Sequence, residues 1–479
     1  MSTFSDLLTA SIKSSGLTIP YLASLCGISP SLLAKMKSGQ RLSDDENIMT
    51  ALFHSLRLSD RKYHELLQAY HIEKMGSDKY HCYLACLKTI SHFNHLENIS
   101  EHYLSRSISY DFKFQSTFHT LQEIKLVFSY LYDYCQEMHD TMRLIFPAEN
   151  NFLTDFFVAL SHTADSSDQL VPVEHIIRLY PSSSSSSNLS NIFSVSNALY
   201  TLAMYNGYKP FYYYSEEATI QLYPYIVLTS SYALLLNETL NDGMLLNDSE
   251  IISTLRHTFS QQLGKCLPLV EQIGNNQNYI EQMLQSLTCL SAQNQITYSL
   301  SSYPCLMPSI PLQTAMVHLP SEVLQTPGVQ NYFIHRNNFY SDQIISIFSL
   351  SGLQRFINTG IIEELPDGFH TPFSMEERLE IVHNFMTLIN REPLHIRIIN
   401  ENKLTVSRYF NITSYCYGKT LFLWKYPNMP FAYNQLQESS VADSFRDFLQ
   451  FLPESDFTWN EAESIRIISD YINQLPGYK

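Results

Sequence analysis

Apolar positions in the first 76 residues recur at intervals of three and four. Phe4, Leu7, Leu8 and Ile12 form one stripe and predict a helix that ends near Gly16. Thr18 is placed to cap a second helix, with Pro20 in its first turn, where a missing N–H costs little. Leu22, Ala23 and Leu25 are its inward positions, and Gly27 permits the left-handed turn that follows. Ser29 caps a third helix with Pro30 at its first position; Leu33 and Met36 are its core face, and Ser31, Leu32, Lys35 and Lys37 lie opposite. Helices over Asp44–Leu56 and Ser59–Ile72 complete a five-helix head that buries Ile48, Leu52, Phe53, Leu56, Tyr63, Leu66 and Leu67.

Beyond residue 76 the pattern stays helical to about His162. Its clearest piece is His119–Phe146, where Leu121, Ile124, Val127, Phe128, Leu131, Cys135, Met138, Met142 and Ile145 keep a helical period. Residues 77–165 therefore read as a helical connector or dimerisation region, or as the core of a helical domain. Pro181 and the run Ser182–Ser187 mark a low-complexity break, read as an exposed loop. After the break, strand-length runs alternate with helices, and the order repeats. Asn188–Asn206 reads as a helix, Pro210–Tyr214 as a strand, Tyr225–Thr229 and Tyr232–Asn237 as a hairpin, and Ser249–Leu263 as a helix. Near the C-terminus, Ser374–Asn390, Leu394–Ile399, Arg408–Thr413, Thr420–Trp424 and Ser440–Leu452 follow the same order. The fold expected is multidomain, α and α/β: a five-helix head over 1–76, a connector over 77–165, and two similar mixed α/β lobes over 188–330 and 341–479. The lobes are read as a duplication around a pseudo-two-fold axis, with coincidence of two ordinary α/β segments as the alternative.

The Thr18–Arg41 segment, two short helices joined at Gly27, is the unit that places a helix in the major groove of DNA. At these residues the chain resembles the Cro/C1-type (XRE) helix-turn-helix family, over about the first 70 residues. In that family the segment matching Ser29–Ser38 is the recognition helix. The resemblance implies base-edge contacts from Ser29, Ser31, Leu32 and Lys35 and phosphate contacts from Lys37, Gln40 and Arg41, with Thr18 at the start of the preceding helix. Two positions depart from the family pattern: Ile19 stands where Gln is frequent, and Lys37 where Glu is frequent. The body, over about 190–475, resembles the C-terminal region of large one-chain regulators of Gram-positive anaerobes. The carriers are Ser349–Phe356, Thr359-Gly360 and Pro372–Arg378. That resemblance implies an effector region and names no effector. The lobes also resemble sensor domains related to phospholipase D, but the catalytic His-x-Lys signature of that family is missing, since no His here has Lys two residues later.

The formal charge of −16 is unevenly divided. Residues 1–76 hold eight Lys/Arg and seven Asp/Glu, giving +1; the rest holds 22 against 39, giving −17. Attraction to a polyanion must then come from the head, and a dimer is expected, reading half-sites about 34 Å apart on a double-stranded operator. Eight scattered cysteines without a signal peptide point to a reducing, cytoplasmic setting, and no apolar run approaches the ~18 residues that span a bilayer.

Candidate chemistry is sparse. Cys82, Cys86, His92 and His95 cluster in sequence, but on one helix the two histidines fall far round the cylinder from the cysteines, so no metal is expected unless the chain turns between Leu87 and Ser91. The aromatic run Tyr205, Tyr208, Phe211–Tyr214, Tyr223 and Tyr225 is the best ligand feature; Tyr212, Tyr214 and Tyr225 are the candidates, with ordinary sheet core as the alternative. Nucleophile elbows, phosphate-cradling loops and zincin helices are missing: Gly264-Lys265 lacks the upstream glycine and His64-Glu65 the second histidine. The reading is a one-component transcriptional regulator, no enzyme and no cofactor, with a small-molecule or peptide effector. The rival is a body that acts as a peptide- or protein-docking scaffold.

Overall fold

The computed structural model describes residues 3–43, 45–96, 117–147, 151–163, 170–181, 185–215, 222–272, 296–325, 344–363, 365, 370–390, 394–414, 419–424 and 432–476. The head contains α1 (Thr3–Ser15), α2 (Ile19–Leu25), α3 (Pro30–Lys37), α4 (Glu46–Ser55) and α5 (Asp60–Met75). Asp44, the expected start of α4, lies outside the described residues. Phe4, Leu8, Leu22, Leu33, Met36, Leu52, Phe53, Leu66 and Tyr70 form its core. Some expected core positions differ: Met49 is buried in place of Ile48, Tyr63 and Leu67 are only partly buried, and Leu25 is half exposed because the chain turns away immediately after it. Tyr70 is buried with its hydroxyl donating to the Ser43 carbonyl at 3.0 Å.

The body follows as α6 (Ser77–Leu96), β1 (Thr117–Phe118), α7 (Leu121–Glu137), β2 (Met142–Ile145), α8 (Asn151–Thr163), β3 (Val173–Leu179), α9 (Ser185–Met204), β4 (Tyr208–Tyr214), β5 (Tyr225–Leu228), β6 (Ala233–Leu236), β7 (Gly243–Leu246), α10 (Ser249–Leu263), β8 (Leu267–Pro268), β9 (Val270–Gln272) and β10 (Thr297–Ser301). It continues as α11 (Leu312–His318), α12 (Ser321–Leu324), β11 (Ile344–Phe348), α13 (Leu350–Thr359), α14 (Met375–Asn390), β12 (Leu394–Ile398), β13 (Phe410–Ser414), β14 (Thr420–Trp424), β15 (Ala432–Leu436), α15 (Ser439–Phe451) and α16 (Glu461–Ile472). The strands make two mixed sheets, β1-β7-β6-β5-β2-β3-β4-β8 and β12-β11-β10-β13-β14-β15-β9.

Their connectivity is the same. In the first sheet β2, β3 and β4 are parallel and joined by helical crossovers, and β5, β6 and β7 return as an antiparallel meander beside β2. In the second, β10, β11 and β12 are the parallel set and β13, β14 and β15 the meander beside β10. A helix follows each meander, α10 in one and α15 in the other.

The expected boundaries move accordingly. The first sheet takes β2 and β3 from upstream of 188, so 77–165 is not an all-helical connector; β10, placed in the first lobe by sequence, belongs to the second sheet. Ser185–Ser187 open α9 inside the first lobe, and Ser182–Ser184 lie outside the described residues. The pseudo-two-fold arrangement is also corrected. Residues 267–272 pass from one sheet to the other: β8 pairs with β4, and β9 pairs with β15. The edge after the parallel set of one sheet thus meets the edge after the meander of the other. Unlike edges face each other, which is a head-to-tail relation and not a two-fold one.

One apolar core fills the space between the lobes, from Phe128, Phe157 and Leu199 to Phe410, Trp424 and Phe445, with Phe93 of α6 in it. Outer cores lie under α10 on the first sheet and under α13, α14 and α16 on the second. Gly76 separates α5 from α6, and the joint is aromatic: His71 stacks on Tyr80 at 6.0 Å and meets the Phe451 ring edge-on at 5.5 Å.

Candidate nucleic-acid interface

The α2–α3 unit is built by local chemistry. Gly27 ends α2 with φ +67°, with Ile28 N–H donating to the Ala23 carbonyl at 3.0 Å and Gly27 N–H to that of Ser24. Gly39 ends α3 in the same way, with φ +72°, Gln40 N–H on the Lys35 carbonyl at 2.9 Å and Gly39 N–H on that of Met36. Both are Schellman closures, which satisfy the last carbonyls and fix the exit direction of the chain. Leu32 N–H donates to the Ser29 hydroxyl at 3.1 Å, and Pro30 occupies the first position, so α3 starts where its residues predict. Thr18 occupies the corresponding position of α2, but its hydroxyl makes no capping bond and is exposed.

Ser29, Ser31, Lys35, Gln40 and Arg41 are exposed, Ser29 just before α3, Ser31 and Lys35 on it, and Gln40 and Arg41 just after it. Leu32 and Lys37 are only half exposed. Leu32 packs against the head core, and the Lys37 carbonyl accepts from the Thr9 hydroxyl at 3.2 Å. Leu32 is therefore partly a core residue, which its place opposite Leu33 in the helical count did not reveal. Ile19 also packs on the head core, so its departure from the family pattern is an apolar contact. Sequence reasoning missed Tyr21, which is 54% exposed on α2. Its place outside the Leu22–Ala23 pair was the available signal.

The tyrosines expected to share a ligand site fall into a pair, Tyr212 and Tyr214, and a separate Tyr225. Tyr212 is buried, with its ring 5.6 Å from that of Tyr214. Tyr214 donates to the Glu438 carboxylate at 2.5 Å, and Tyr225 packs on Phe146 at 4.3 Å and donates to the Glu238 carbonyl. Tyr212 and Tyr214 are hydrogen-bonded to each other beside Glu438, and Tyr225 stands apart from them, so the three do not line one pocket. Cys82 and Cys86 lie buried in α6, which runs unbroken through Leu87–Ser91, so the turn required for a four-ligand metal site is not made. No group of three or more metal-ligating residues occurs among the described residues.

The residues that carry the body resemblance have structural partners. Arg378 donates to the carbonyls of Ile357, Asn358, Thr359 and Phe373 at 2.7–3.2 Å and so closes the C-terminus of α13. Arg355 pairs in bidentate fashion with Glu363 at 2.7 and 2.8 Å. Ser374 and Glu377 form a reciprocal capping box at the start of α14. Among the described residues no helix is long and apolar enough to cross a membrane. The sequence matches no family model and no curated protein.

Proposed function

We propose that this chain is a one-component, sequence-specific DNA-binding transcriptional regulator, dimeric on its operator, whose two-lobed body is the effector region. The observation that carries the proposal is the α2–turn–α3 unit, with α3 capped by Ser29 and both helices closed by glycines, and with Ser31, Lys35, Gln40 and Arg41 on open surface. Lys37, Gln40 and Arg41 supply phosphate contacts and Ser31 and Lys35 base-edge contacts. Ser29 contributes through the hydroxyl capacity that capping leaves over. Tyr21 joins the phosphate contacts from α2. The shared connectivity of the two sheets supports an origin by internal duplication. The paired sheets also speak for an effector body over a helical docking scaffold.

Duplexes selected from a random-sequence pool test this reading. The Lys35→Ala/Lys37→Ala double variant is expected to bind them more weakly. Its log–log salt slope should fall by about 1, for the phosphate contact of Lys37. Unchanged affinity and slope would remove the head from the DNA-binding role.

A further inference from the structure

At the seam where residues 267–272 cross between the sheets, the chain encloses a cavity of about 240 Å³. Its walls are apolar, with Leu202 at the end of α9, Pro210 and Phe211 on β4, Val270 on β9 and Trp424 on β14. Asn206, Lys209 and Gln272 stand exposed at the rim. Asn434, 3% exposed, lines the interior, and its Nδ2 has no hydrogen-bond acceptor among the described residues. Buried amide donors nearly always have an acceptor, because leaving one unmade is unfavourable. Among the described lining residues Lys209 alone is charged; Glu174, its neighbour on β3, is paired with Arg143 and is not in the lining. The volume is just under the range of drug-sized pockets and equals roughly eight water molecules.

We propose that this seam cavity binds a small carboxylic acid with an apolar body, of amino-acid size. The apolar body lies against Phe211, Val270 and Trp424. The carboxylate lies between the Asn434 amide and the Lys209 ammonium, which supply donors and positive charge where the walls supply none. A cation of the same shape meets the like charge of Lys209 and leaves the Asn434 Nδ2 without an acceptor. The ligand touches both lobes: α9 and β4 belong to one, β14 and β15 to the other. It therefore favours one lobe arrangement over any other. α9 packs along α6, which leads directly from the head. Use of the site as an effector site rests on the regulator reading; binding to it does not.

Trp424 is one of two tryptophans, and Trp459 lies outside the cavity lining, so the full-length Trp459→Phe chain reports on the cavity alone. Titration with phenylacetate, 4-methylpentanoate and indole-3-acetate is expected to give a saturable change in Trp424 emission with at least one acid. The amine of matching shape, such as 2-phenylethylamine, should give none. Lys209→Met and Asn434→Leu should each weaken the acid about tenfold, the loss of one charge-assisted bond. No saturation by any of the three acids at millimolar concentration overturns the proposal. So does an Asn434→Leu chain that melts higher and binds the acid unchanged, which would make Asn434 structural only. A chain that binds acid but no duplex keeps the site and ends the regulator reading, so the two failures are separable.

Discussion

His175 is buried in β3 with both ring nitrogens engaged. The Tyr208 hydroxyl lies 2.5 Å from Nδ1 and the Phe146 carbonyl 2.7 Å from Nε2. A carbonyl can only accept, so Nε2 carries the proton and Nδ1 accepts from Tyr208; the ring is neutral. Burial drives its pKa down to about 4, against the opposing pull of the Phe146 carbonyl. His71, in the joint between head and body, is also lowered to about 4 by burial; Asp456 opposes that shift and Lys74 adds to it. Both histidines take up a proton in the unfolded chain near pH 6.5 and in the folded chain only near pH 4. Between those values the unfolded state binds more protons. The stability they contribute is thus complete above about pH 6.5 and is lost as the pH falls towards 4, at up to about 1.4 kcal/mol per pH unit for each histidine. Urea unfolding at a series of pH values checks this. His175→Gln should be less stable at neutral pH and should lose stability less steeply between pH 6 and 4.5. An identical slope would mean that His175 titrates alike in both states.

The elements depend on such local partners, and their termini are where single changes act. Ala at position 27 would need the left-handed conformation, at about 1–2 kcal/mol. Ala at position 29 removes the α3 cap, at about 1 kcal/mol. Gly27→Ala and Ser29→Ala should therefore speed amide exchange in α2 and α3 and leave exchange in β11 and β12 unchanged; equal effects on both would merge head and body into one unit. Arg378→Met leaves the α13 carbonyls without their donor and should lower body stability by about 2 kcal/mol, read from the denaturation midpoint. The same localness explains what was legible in sequence. The Ser29 cap and the turn of α2–α3, the strands near 210, 225, 394 and 420, and the helices α10, α14 and α15 coincide with their predicted places, because their signals sit in adjacent residues. The stripe of α7 was followed too far. Met138 and Met142 keep a spacing of four, but His139 turns left-handed at φ 51° and Asp140 accepts the Ser230 N–H, so Met142 and Leu144 enter the sheet as alternate buried positions of β2. β3 was missed because its alternation is blurred: Ile176 is buried between Glu174 and Arg178 on one face, and the polar His175 lies between Val173 and Ile177 on the other. The seam cavity joins Pro210 to Asn434 and leaves no local signature at either.

At the scale of the whole molecule, the head-to-tail relation of the lobes decides how they unfold. The crossover face of the first sheet, with α8 and α9, and the α15 face of the second enclose the same core. Phe93 of α6 stacks on Phe410 at 4.3 Å and meets Tyr200 of α9 at 4.6 Å, and Tyr83 packs on Phe448 and Phe451 at about 5 Å, so α6 is bound into both lobes. Polar ties cross the same seam. Tyr214 of β4 donates to Glu438, the fully buried N-cap of α15, which also accepts the N–H groups of Ser440 and Val441; Asn188 donates to Ser444 at 2.8 Å. The head has its own core and meets the body mainly through α5, His71 and Lys74. Removal of residues 1–76 should therefore leave residues 77–479 with one cooperative unfolding transition. A fragment starting at 296 keeps all but one strand of the second sheet and its outer core. It loses β9, α6 and α9, and so uncovers Phe410, Trp424 and Phe445 together. Burying an aromatic side chain is worth about 1.5–3 kcal/mol, and three exposed at once consume most of the 5–15 kcal/mol that holds a domain folded. That fragment should lack a cooperative thermal transition and expose apolar surface to dye. A sharp melt from it would show that each lobe stands alone, and a ligand at the seam would then have two independent bodies to bridge and no shared core through which to reach α6.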